Sequence, residues 1–82
     1  MELKDTVEMM LSSDYKERFK AEYYQSKIRY NKLKKMVDNW DKLNFIPTCD
    51  KGTYINQLLA MENYMIFLEY RAQQENVELK EN

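Results

Sequence analysis

Residues 14–40, DYKERFKAEYYQSKIRYNKLKKMVDNW, decide the fold, because one helix there carries both an aromatic seam and most of the chain's concentrated positive charge. Phe19, Tyr23, Ser26, Tyr30, Leu33, Val37 and Trp40 follow at alternating steps of four and three, the spacing that keeps side chains on one side of an α-helix. All of them but Ser26 are apolar or aromatic. Asp14 with Glu17 reads as an Asp-x-x-Glu start, in which the Asp side chain caps and the Glu reaches back to backbone N–H groups of the first turn. Neither Gly nor Pro interrupts the stretch, so the helix is expected over 14–41, roughly 40 Å at 1.5 Å per residue.

Outward from that helix, 42–52 changes character. Asn44, Pro47, Thr48, Asp50 and Gly52 break the pattern and predict a turn. Tyr54, Leu58, Met61, Met65, Leu68 and Ala72 then resume the four-three spacing, and Ile55, Leu59, Ile66 and Phe67 widen the apolar surface beyond one stripe. A second long helix is expected over 53–76, with 77–82 as a tail. Before the first long helix, Leu3, Val7, Met10 and Leu11 form a short amphipathic stretch that Ser12 and Ser13 interrupt, predicting a leading helix over 1–12. The expected fold is all-α: a short N-terminal helix followed by a long antiparallel helical hairpin, one domain over 1–82.

A chain of 82 residues lies near the lower limit at which one core stabilises a domain alone. In a hairpin each helix has a single neighbour, so Ile66, Phe67 and Tyr70 on the second helix stay partly uncovered. A contiguous exposed apolar patch marks an interface, and a closed homo-oligomer is the economical way to cover it.

Enzyme chemistry finds little purchase here. The chain has no histidine and one glycine, which removes the commonest general base and metal ligand and any Gly-rich phosphate loop. Carboxylate pairs such as Asp38 with Asp41 and Glu75 with Glu78 have the spacing of a solvated helix surface. Cys49 stands alone, so no internal disulfide and no thiol zinc site is available. The methionines read as gap-filling core or adaptable interface. No catalytic residue, metal or cofactor is expected. No apolar run approaches the ~20 residues of a membrane span, and the first residues lack signal-peptide features, so a cytoplasmic protein without a membrane partner is expected.

Charge is nearly balanced at −1 but unevenly spread. Between Tyr15 and Lys35, Lys16, Arg18, Lys20, Lys27, Arg29, Lys32, Lys34 and Lys35 outweigh Glu17 and Glu22, a local +6. From Ala60 onward, Glu62, Glu69, Glu75, Glu78 and Glu81 outweigh Arg71 and Lys80, a local −3. One explanation is complementarity, a basic helix packing beside an acidic one within or between subunits. The other is anion binding, with tyrosines supplying planar faces for a base and cations meeting phosphate. Tyr23 and Tyr30 lie on the seam and read as core aromatics with a wet hydroxyl, whereas Tyr15 and Tyr24 are freer for a ligand. Extended nucleic acid is a poor partner, since the acidic helix repels a phosphate backbone.

DYKERFKAEYYQSKIRYNKL, followed past a Pro-containing turn by INQLLAMENYMIFLEYRA and a Glu-rich end, resembles a family of small helical-hairpin proteins from tailed phages and prophages. The resemblance runs from about Asp14 to Leu79. It rests on Glu22-Tyr23-Tyr24-Gln25 with Arg29, and on Gln57, Met61, Tyr64, Leu68, Glu69 and Arg71. Ser26 departs from it, at a seam position where leucine is expected, and is expected to weaken the packing or open a cavity. The same architecture is similar to the anti-CBASS and anti-Thoeris sponges, phage proteins that cage cyclic-nucleotide immune signals between subunits and cleave nothing. What the resemblance implies is a phage-encoded, non-enzymatic anti-defence protein that sequesters a small nucleotide signal, of cyclic nucleotide or cyclic ADP-ribose type, in pockets of a homo-oligomer in the infected cell. None of those proteins' pocket residues is carried over. From this chain's own residues the ligand-binding candidates are Tyr15, Lys16, Lys20, Tyr24, Lys27 and Arg71, and truncating Lys20 or Tyr24 is expected to weaken ligand and spare the fold. Two alternatives remain open: an inhibitor that binds a host defence protein through the basic aromatic helix, and a structural coiled-coil module.

Overall fold

The Asp14 carboxylate does what its position predicts: it accepts from the Lys16 N–H at 2.9 Å and starts a helix. The computed structural model describes residues 1–80; Glu81 and Asn82, the end of the expected tail, lie outside the described residues. A 3₁₀ turn over Leu3–Thr6 leads into α1 (Val7–Met10), then come α2 (Tyr15–Asp38), a second 3₁₀ turn over Trp40–Lys42, and α3 (Lys51–Gln74). Among the described residues there is no strand. Glu17 does not reach back to complete a capping box; its carboxylate lies 3.4 Å from Lys20 one turn on.

Both ends of the turn differ from the periodicity reading for identifiable reasons. α2 stops at Asp38 because the Asn39 side chain donates to the Lys35 carbonyl at 2.8 Å and its backbone leaves helical geometry, the side-chain competition that makes Asn a poor interior residue. Trp40 therefore sits in the tighter turn, where its ring meets Tyr54 at 5.9 Å. α3 begins earlier than expected because Asp50 caps it, accepting from the Thr53 N–H at 3.3 Å and the Thr53 hydroxyl at 2.6 Å. Gly52 thus belongs to the first turn of α3. A Cβ there would stand 3.0 Å from the capping carboxylate, so the missing side chain leaves room for the cap.

Two residues past the end of α3 comes Asn76, whose φ of 56° is left-handed. The Val77 N–H returns to the Ala72 carbonyl at 2.8 Å, the six-to-one bond of a Schellman ending with Asn in place of the usual Gly. This ending turns Val77 inward.

α2 and α3 pack against each other. Tyr15 meets Glu75, Tyr23 meets Glu69, Tyr64 donates to Glu22, and Trp40 meets Tyr54, so residues early in one helix face residues late in the other. The core between them consists of Phe19, Tyr23 and Tyr24 against Met65, Leu68, Ala72 and Val77. Ser26 does not leave an orphaned hydroxyl on the seam, since its Oγ donates to the Glu22 carbonyl at 2.9 Å. The molecule measures 42 × 24 × 20 Å, a rod rather than a ball.

One buried hydroxyl helps to fix the N-terminal segment, beside the packing of Met9 on the core and the Arg18 bond to the Ser12 carbonyl. Thr6, 0 % exposed, donates to the Leu3 carbonyl at 2.7 Å and accepts from Gln25 of α2 at 2.9 Å. Thr6→Val keeps the shape and leaves both partners unsatisfied, so unfolding free energy is expected to fall by about 1–3 kcal/mol, read from chemical denaturation. An unchanged midpoint would mean that water replaces the hydroxyl.

Candidate functional site

Tyr24 is the residue around which the basic helix organises a concavity. It projects from the third turn of α2, and 6 % of it remains exposed. Its hydroxyl accepts the Lys80 backbone N–H at 2.8 Å, and its ring meets Tyr23 edge-on at 5.9 Å. Sequence reading leaves Tyr24 free for a ligand; the structure buries it instead, because the chain after Asn76 folds back across α2 and covers it.

Two cavities adjoin at this tyrosine. One, about 290 Å³, is lined by Met1, Tyr24, Lys27, Ile28, Asn31 and Lys80. The other, about 230 Å³, is lined by Met1, Met9, Glu17, Lys20, Tyr24, Glu78 and Lys80. Tyr24 and Lys80 belong to both. Lys20, Tyr24 and Lys27, three of the sequence candidates, are thereby brought to one place by helical spacing, and Lys27 also has its ammonium 5.9 Å from the Tyr23 ring. The walls combine three ammonium groups with apolar stems and one aromatic ring, and Glu17 and Glu78 limit the positive charge on one side.

Tyr15, Lys16 and Arg71 lie elsewhere, at the junction of the α2 start with the α3 end. Tyr15 donates to Glu75 at 2.6 Å and accepts from the Arg71 guanidinium at 2.8 Å. Arg71 also reaches Glu75 at 3.0 Å and lies 4.9 Å above the Phe19 ring. Lys16 donates to the Asn76 carbonyl at 3.1 Å, a cation on the end of α3 where the helix dipole favours one. These groups clamp the helix ends together through bonds to one another and to the Asn76 carbonyl.

The clamp sets a pH dependence. Hydrogen bonds from Tyr15 and then Arg71 hold the Glu75 carboxyl below its ordinary value, and the bond to Glu75 raises the Tyr15 phenol. A depressed carboxylate contributes stability that is present above its unfolded value, near 4.5, and is lost as pH falls through the folded value. A raised phenol contributes stability that is full below 10 and is lost as pH climbs through the folded value. The melting temperature is expected to decline at both edges, and Glu75→Gln is expected to flatten both declines. Identical profiles for the two proteins would show the clamp to be energetically silent.

Lys80 is the site residue that periodicity misses, since it follows the helix. A signal was present: Val77 and Leu79 alternate with charged neighbours in an otherwise polar tail, and both pack on the core, which carries Lys80 to Tyr24.

Comparison with family models places residues 13–74, from the turn before α2 to the last residue of α3, in the family described as Sequestin. The chain belongs to the Sequestin family. Comparison with curated proteins and with solved structures gave no match. The name Sequestin denotes sequestration, a binding role, and the matched residues include Lys20, Tyr24 and Lys27 as well as Tyr15, Lys16 and Arg71. Lys80 lies beyond the match. Among the described residues no helix is long and apolar enough to cross a membrane.

Proposed function

We propose that this protein is a phage-encoded, non-enzymatic anti-defence protein that sequesters a small nucleotide immune signal, of cyclic nucleotide or cyclic ADP-ribose type, in a homo-oligomer of helical hairpins. The observation that carries this reading is the convergence of Lys20, Lys27 and Lys80 on Tyr24 around two adjoining cavities. Ammonium groups meet phosphate as point charges, and the apolar stems and the tyrosine edge accept the base. Each cavity is at the small end for a nucleotide-sized ligand, so the two act as one site with Tyr24 as the wall between phosphate and base, and a second subunit completes the enclosure. Tyr15 and Arg71 serve this site by holding the helix ends that carry the returning tail, while Lys20 and Lys27 touch the anion.

Melting of the purified protein against cyclic di- and trinucleotides and cyclic ADP-ribose isomers tests the proposal. A ligand that binds only the folded state, at a hundredfold excess over its Kd, adds about 2.7 kcal/mol. A selective upward shift by one compound is expected; no shift with any of them overturns the nucleotide reading.

A second reading has its own support. Lys32, Lys35 and Lys42 rim a groove of about 630 Å³ floored by Met36, Leu43 and Phe45, and none of the three lysine side chains is paired among the described residues. An acidic face of a host defence protein fits such a groove, and this reading gains if the nucleotide panel is silent and a stable complex is recovered with one purified defence protein.

A further inference from the structure

α3 carries a second stripe, apolar except for Glu62, that α2 leaves largely exposed. Ile55, Leu59, Glu62, Ile66 and Tyr70 step along the helix by four, three, four and four, and Ile66 and Tyr70 are 57 % and 60 % exposed. Coiled-coil partners recognise that spacing. Beside its lower half lies a groove of about 590 Å³ between the helices, with Val37, Ile55, Leu58 and Leu59 as its apolar wall and Lys51, Glu62 and the Lys34–Asp38 ion pair as its charged rim. The upper half, Ile66 and Tyr70, offers knobs with no hole of their own.

We infer that a second copy of this chain covers the stripe, through a two-fold antiparallel pairing of α3 with α3 centred between residues 60 and 61. The inference rests on the homo-oligomer of the proposed function and names the interface that builds it. In this register Ile55 faces Ile66 of the second copy, Leu59 faces its Glu62, and Ile66 and Tyr70 of each copy enter the groove beside Ile55 and Lys51 of the other. The surface is self-complementary, as a two-fold contact requires. Charge selects the direction and the register. Parallel pairing sets Glu62 against Glu62, as does an antiparallel axis at Glu62. The proposed register lays the stem of Glu62 on Leu59 and brings Lys51, which has no ion pair of its own among the described residues, beside Glu69 of the other copy. Size agrees as well. Ile55, Leu59, Ile66, Phe67 and Tyr70 are all exposed, and at 150–250 Å² for a whole large side chain they offer roughly 500 Å². The lysine, glutamate and glutamine side chains that border the stripe bring this toward the ≈ 800 Å² per partner of a stable complex.

Sedimentation of the wild type and of Ile66→Glu tests the pairing. The wild type is expected above the 10.1 kDa mass of one chain, and Ile66→Glu at that mass with unchanged helicity, because Ile66 is 57 % exposed and outside the core cluster of its own subunit. Ile55→Cys and Ile66→Cys, each on a Cys49→Ser background, are expected to cross-link when mixed under oxidising conditions, and neither variant with itself. A wild type that sediments as one chain, an assembly indifferent to Ile66→Glu, or cross-linking of Ile66→Cys with itself overturns the interface. Nucleotide binding is read separately: a nucleotide shift beside an assembly indifferent to Ile66→Glu leaves sequestration standing without this interface. An Ile66-dependent dimer beside a silent nucleotide panel does the reverse.

Discussion

Leu68→Ala is expected to lower the unfolding free energy by about 2–5 kcal/mol, which for a domain of this size corresponds to a fall of roughly 10–30 °C in melting temperature. Leu68 is 1 % exposed and sits in the centre of the α3 face that meets Phe19, Tyr23 and Tyr24. Its neighbours cannot collapse into the vacancy, since the aromatic rings are held by hydrogen bonds at their far ends, Tyr23 to Glu69 at 2.6 Å and Tyr24 to Lys80 at 2.8 Å. A cavity that stays open costs most. Differential scanning calorimetry checks the figure, and a fall under about 1 kcal/mol would mean that the core repacks around the gap. Leu59→Ala, on the exposed side of the same helix, is the matched control when both substitutions are made on the Ile66→Glu background, where the chain is single and Leu59, 54 % exposed, has little to lose.

That contrast shows what the amino-acid order could disclose. Leu68 and Leu59 are the same residue type nine positions apart, and only phase around the helix distinguishes them. The four-three spacing of Tyr54, Leu58, Met61, Met65, Leu68 and Ala72 identified the face that packs on α2, because burying one side of a helix imposes a period of 3.6. The spacing of Phe19, Tyr23, Tyr30 and Val37 did the same for α2. Helix ends were less legible. Asn39 and Asp50 stop and start helices through single side-chain bonds to nearby backbone, and a periodicity reading averages over such events. The candidate site was legible only in its helical part. Lys20, Tyr24 and Lys27 share a side because they are four and three apart, but Tyr15, Lys16 and Arg71 carry the same residue types and instead join the helix ends through Glu75 and Asn76. Composition cannot tell a cation that lines a cavity from one that ties two helix ends together. What separates the two groups is the Asn76 turn, a tertiary event set by one residue in the left-handed region.

The same turn changes what Tyr24 can be used to test. Sequence reasoning treats Tyr24→Ala as a ligand probe that spares the fold. With the ring 6 % exposed and in the core cluster, that truncation is expected to remove about 3–5 kcal/mol of stability, and lost nucleotide binding would then report unfolding. Tyr24→Phe separates the roles. It keeps the ring and the packing and removes only the acceptor for the Lys80 N–H, at an expected cost of about 0.5–1.5 kcal/mol. If the returning segment is what carries Lys80 to the site, Tyr24→Phe weakens nucleotide binding together with Lys80→Ala, and the two losses are less than additive, as coupled residues behave. Lys20→Ala and Lys27→Ala leave the segment in place and each cost about 1–3 kcal/mol of binding, the range for a hydrogen bond to a charged group. Isothermal titration of the four variants and the Tyr24→Phe, Lys80→Ala pair decides between these outcomes. Full additivity of Tyr24→Phe and Lys80→Ala would mean that Lys80 reaches the ligand without the tyrosine's hold. Unchanged affinity in Lys20→Ala and Lys27→Ala would remove the basic face of α2 from the site altogether.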